Sequence, residues 1–145
     1  MSLWFERGYP WLFGIAAALL AWLQEAPLPE GDKLSALLSA SISVSAILVG
    51  FLATMKSIVM AIPSIANRLR QSDYLSLLAS YLSTATAANL LFCVLNIAGF
   101  FVWIARHGEI FAPAWFGFGV VALLSFWRVT NIMVLVLQWE PPKPE

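Results

Sequence analysis

An arginine at position 128 stands inside an apolar run that extends from Trp115 to Trp139, a setting in which charge is expensive. Asn131 lies three residues further on, and Asn89 and Asn96 sit one heptad apart in another apolar run. With Thr86 and Cys93, those two asparagines make a polar stripe at helical spacing. An unsatisfied amide in hydrocarbon costs several kcal/mol, so each needs a partner. Hydrogen bonds between helices would provide one, and so would a wet lumen. No Asp or Glu lies within the four apolar cores, so Arg128 has no carboxylate of that kind. Its options are carbonyls, the asparagines, an aromatic face, water, or a lipid phosphate reached by snorkelling. Arg128, Asn131, Asn89 and Asn96 are therefore the candidate pore or gate residues. Sharing one polar interior, they would attract anions, repel cations or lock a closed state.

Other chemistry is sparse. The single histidine, His107, and the single cysteine, Cys93, make neither a metal cluster nor an intrachain disulfide. Cys93 reads as a small apolar filler. There is no Gly-rich phosphate loop, no Ser/His/Asp set and no acid–base pair, so an enzyme is disfavoured and no cofactor is implied. Eight basic residues balance eight acidic ones, leaving no net field to draw nucleic acid.

The elements that must position these residues are membrane helices. Of 145 residues, 61% are hydrophobic and 11% charged, with mean hydropathy +0.82. A soluble domain carries roughly a quarter charged residues, so here lipid must replace water over most of the surface. The apolar runs predict an all-α integral membrane protein, one domain over 1–145, with spans at 9–23, 34–56, 75–105 and 115–139. The first is short, which predicts that Leu3-Trp4-Phe5 lies along the interface beside it. A cleaved signal peptide competes, but Trp22-Leu23-Gln24 stands where a small-x-small exit belongs. Pro27, Pro29 and Gly31, with Glu25, Glu30 and Asp32, make an acidic turn. Ile58, Ile62, Ile65 and Leu69 share a face opposite Lys56, Arg68 and Arg70, as in a segment lying on an anionic leaflet. Ser72-Asp73 is placed to cap the third helix, and Arg106 to Glu109 with Pro113 marks the turn before the fourth.

Arg7, Lys56, Arg68, Arg70 and Lys143 fall on one side of this topology, against Lys33 and Arg106 on the other. That bias puts both termini and the basic loop in the cytoplasm. On the second span, Ser35, Ser39, Ser43, Ala46, Gly50 and Thr54 form a stripe of small side chains that lets helix backbones approach closely. It serves packing within one subunit, a homo-oligomer seam centred on Ser39, Ser43, Gly50 and Thr54, or a hydroxyl-lined pore wall. Lys56, Arg68 and Arg70 are the candidate contacts to anionic lipid or a cytoplasmic partner.

Several short segments carry a family resemblance. They are Leu34-Ser35 opening the second span, Arg68-Leu69-Arg70 ahead of Tyr74, and Phe92-Cys93 in the third. Ser125-Phe126-Trp127-Arg128 with Leu135-Val136-Leu137-Gln138 in the fourth completes the set. In these, and in length, span number and loop character, the chain resembles the RexB family, small membrane proteins of phage exclusion. The family has a histidine where this chain has Arg128. The resemblance implies an abortive-infection effector in the bacterial inner membrane, an ion channel that depolarises the cell when a phage-sensing partner triggers it. Three functions follow as expectations: a homo-oligomeric channel, a non-conducting sensor or recruitment subunit for a cytoplasmic defence protein, and a colicin- or superinfection-immunity protein.

Overall fold

The computed structural model describes residues 3–61, 74–101 and 108–138, and the side chains of 8–61, 76–101 and 109–136. Among these residues the chain is all-helical: α1 (Leu3–Leu23), α2 (Asp32–Ala61), α3 (Tyr74–Ala98) and α4 (Gly108–Gln138). Stretches of α2, α3 and α4 are long and apolar enough to cross a membrane, namely Asp32–Ala61, Ser76–Ala98 and Glu109–Val136. They mark a membrane-embedded protein. Large apolar side chains point outward from every helix, Trp22, Phe51, Val94 and Trp127 among them, as lipid permits and water does not.

The helix ends depart from the expected spans in instructive ways. α1 begins at Leu3, so Leu3-Trp4-Phe5 continues the helix instead of running beside it. Pro10 sits inside, fully buried, where it removes one backbone donor. α2 continues past Lys56 to Ala61 because nothing before Pro63 breaks it. α3 stops at Ala98, short of 105: Gly99, Phe100 and Phe101 form a turn, with Phe100 and Phe101 donating to Ile97 and Ala98 carbonyls. α4 starts at Gly108 and runs through Pro113, close enough to its N-terminus for little helical bonding to be lost.

α1 closes with a six-to-one bond from the Ala26 N–H to the Ala21 carbonyl (2.9 Å) and a bond from the Glu25 N–H to Trp22 (3.2 Å). That Schellman geometry puts Glu25 at a left-handed φ of 47°, a position usually held by glycine. The chain then crosses to α2, which Gly31 opens at φ 59°.

The helices pack in the order α1, α4, α3, α2, so α3 and α4 are the inner pair. α1 and α4 meet through small residues. A Cβ on Gly14 would fall 2.3 Å from Val121 Cγ2, and one on Gly117 would fall 3.0 Å from the Ala18 Cβ. With no hydrophobic effect between helices in lipid, such contact maximises dispersion where association must come from packing. α2 turns Leu38, Ser45, Leu52 and Val59 inward, a seven-residue step that favours a shallow crossing angle. The core near one end joins Leu52, Val59, Leu78, Leu82, Ala85, Val129 and Met133 around Tyr81.

Candidate functional site

Arg128 lies on α4 ten residues before its end, so about 15 Å along the axis from that end. It is 7% exposed. Its guanidinium carbon sits 4.2 Å from the centroid of the Tyr81 ring on α3 and 6.0 Å from that of Tyr9 on α1. The Tyr9 hydroxyl also approaches the Leu124 carbonyl at 3.5 Å. Three helices thus converge on one cation, through ring faces of negative potential. A desolvated contact of this kind is worth about 2 kcal/mol. Burial at this depth makes the aromatic faces, and not snorkelling alone, part of the arginine's environment.

Further along the α3–α4 seam, Asn89 is fully buried. Its Nδ2 donates to the Ala85 carbonyl (2.9 Å) and across to the Ala122 carbonyl (3.3 Å). Asn96, equally buried, donates from Nδ2 to Phe92 (2.6 Å) and accepts at Oδ1 from Trp115 Nε1 (2.8 Å). Trp115 is held in turn by Phe92 at 5.7 Å and by an edge-on Phe116 at 5.1 Å. Both asparagines therefore tie α3 to α4.

Asn131 does not join them. It is exposed, because it follows Val129 by two residues and so lies about 200° round the helix from that fully buried side chain. The polar interior expected of four residues is thus a seam of three, Arg128, Asn89 and Asn96. Thr86 on the same helix bonds its own Leu82 carbonyl (2.8 Å), and Cys93 is a half-buried free thiol.

Two residues in the seam carry no signal of their own in the sequence. Tyr81 reads as an ordinary aromatic near the start of a span, and Ser125 as one more small residue. Both are buried, and neither the Tyr81 Oη nor the Ser125 Oγ makes a hydrogen bond; the Asn89 Oδ1 is a third such atom. Each orphaned polar atom costs about 1–3 kcal/mol. The available signal was spacing: Ala122, Ser125 and Arg128 recur every three residues on one face of α4.

Ser39, Ser43, Gly50 and Thr54 are all exposed on the outer side of α2, away from the other helices. Packing within the subunit is therefore not what this stripe does. The Ser43 and Thr54 hydroxyls donate to their own helix at the Ser39 and Gly50 carbonyls (3.0 and 2.9 Å). Nothing lies within 4 Å of a Cβ built on Gly50. Lys56 is exposed on the last turns of the same helix, whereas Arg68 and Arg70 lie outside the described residues, as does Ser72-Asp73.

The site and the fold define a helical membrane-embedded protein with a buried cation between its inner helices. No protein-family model, no curated protein and no solved structure matches the chain.

Proposed function

We propose that the protein is a phage-defence effector of the bacterial inner membrane that assembles as a homo-oligomeric ion channel and depolarises the cell. In this reading α1 is a fourth span: its 21 residues reach about 31 Å, enough for a hydrocarbon core of about 30 Å. Both termini are then cytoplasmic.

One observation carries the proposal: the Ser39/Ser43/Gly50/Thr54 face of α2 is exposed, and α2 is an outer helix of the array. Small side chains there admit a second copy's helix at close range, and the hydroxyls already satisfied by their own helix make that face inexpensive to bury. The resemblance to phage-exclusion membrane proteins supports the defence role. Purified protein in potassium-loaded liposomes tests it. Conductance that Gly50→Leu abolishes together with the oligomer is the expected result. Absence of conductance from a correctly oligomeric protein would favour a recruitment subunit.

A further inference from the structure

We propose that copies of this chain dock head to tail, with Trp127 and Asn131 of one copy seated on the Gly50/Thr54 face of α2 of the next. The inference rests on the oligomeric reading above and deepens it by naming the surface that the small-residue face receives. Leu123, Trp127, Asn131 and Leu135 recur every four residues, and all four are exposed on one face of α4. Among the described residues, neither the Trp127 indole N–H nor the Asn131 amide has a hydrogen-bond partner. Both side chains lie inside the apolar stretch Glu109–Val136, where an unpaired polar group turned to hydrocarbon is costly. This face needs a cover that accepts hydrogen bonds.

The outer side of α2 supplies one. The Ser43, Thr54 and Ser57 hydroxyls each donate to their own helix, at the Ser39, Gly50 and Ala53 carbonyls. With its proton committed, each oxygen presents only lone pairs to a neighbour. The α2 face is thus a row of acceptors, while Trp127 Nε1 and Asn131 Nδ2 are donors. Shape agrees with chemistry: nothing lies within 4 Å of a Cβ built on Gly50, which leaves a shallow notch for the indole. Two α2 faces in contact would oppose acceptor to acceptor. Two α4 faces would set the bulk of Trp127 against itself and leave the α2 oxygens uncovered. The mixed pairing suits both.

The two faces also lie at one depth. Near one end of the bundle, a Cβ on Gly99 would meet both Leu38 of α2 and Phe111 of α4. Toward the other, Leu52 and Val59 share a cluster with Val129 and Met133. α2 and α4 therefore run in the same direction. Gly50 falls level with Trp127, and Thr54 with Asn131, to within about one turn of 5.4 Å. Copies related by rotation about the membrane normal all sit at the same depth, so level residues are the ones that can meet. A contact between two different patches closes into a ring when its rotation allows, which is the arrangement a central pore needs.

Oxidative crosslinking of the full chain in native membranes, in a Cys93→Ala background, tests the pairing. Thr54→Cys and Asn131→Cys in the same chain should give a ladder of dimers, trimers and larger species on a denaturing gel, and either substitution alone should give monomer. Dimers from Thr54→Cys alone, or from Asn131→Cys alone, would reveal a like-to-like contact and overturn the head-to-tail pairing while leaving a homo-oligomer in place. So would an absent ladder when native mass measurement of the wild-type protein still finds an oligomer. A wild-type monomer would instead remove the oligomeric reading on which the pairing rests. Asn131→Leu, which alters only an exposed side chain, should leave monomer unfolding unchanged and lower the association constant about tenfold. An unchanged association constant would overturn the part given to Asn131.

Discussion

The Arg128 guanidinium stacks over the Tyr81 ring at 4.2 Å, so the one cation deep in the α4 span is held by an aromatic face of the neighbouring helix. A double-mutant cycle measures that link. Arg128→Leu and Tyr81→Leu should couple by about 1–2 kcal/mol in denaturant unfolding from detergent. Tyr81→Phe keeps the ring and should keep the coupling. Arg128→Lys should lose part of it, because lysine lacks the planar guanidinium that stacks. Additive single variants would remove the contact from the energetics.

The α1–α4 crossing depends on missing side chains. Gly14→Leu would drive a Cβ into Val121 and the Gly117 carbonyl. It should separate the two helices and lower unfolding stability by several kcal/mol, read as the denaturant midpoint. Gly50→Leu meets open space and should leave monomer stability within about 0.5 kcal/mol while shifting native-mass stoichiometry toward monomer. Equal loss of stability in both variants would contradict the outward placement of Gly50.

Asn96 and Trp115 share the hydrogen bond that joins α3 to α4 near the α4 N-terminus. Trp115→Phe removes the donor and leaves Asn96 Oδ1 buried. A loss of about 0.6–2 kcal/mol is expected in the same unfolding assay. Asn96→Leu removes the acceptor and leaves the Trp115 indole N–H without its partner, so its loss should be at least as large as that of Trp115→Phe. Indifference to Trp115→Phe would show that the indole is not holding the seam.

Glu25 occupies a left-handed position at the end of α1. Glycine suits that backbone better by about 1 kcal/mol, so Glu25→Gly should raise the thermal midpoint by a few degrees. A lower midpoint would mean that the carboxylate contributes more than the cap geometry costs.

The proposed topology is tested by labelling. Single cysteines at Gly31 and Gly108, in a Cys93→Ala background, should react with an impermeant thiol reagent added outside cells. A cysteine at Gln71 should react only after the membrane is opened. Outside labelling at Gln71 would invert the orientation.

Much of the architecture was legible because lipid imposes a simple rule on composition. Long apolar runs must be helices whose backbone groups bond internally, so element type and approximate place followed from the chain alone. The ends were less secure, since Pro10 and Pro113 read as boundaries but sit inside helices that tolerate them. Arg128, Asn89 and Asn96 could be picked out by the cost of polarity in an apolar run. Which way they face could not. Amphipathic patterning is blunted when lipid and core are equally apolar, so the Thr86/Asn89/Cys93/Asn96 stripe could be read on α3 but not which neighbouring helix it meets. Only packing decided that Asn131 points outward, that the small face of α2 is left open while Gly14 and Gly117 are pressed together, and that Tyr81 and Ser125 meet the arginine's seam. Those outcomes depend on which helices become neighbours, and residues more than forty positions apart, such as Tyr81 and Arg128, meet only once the tertiary fold has formed.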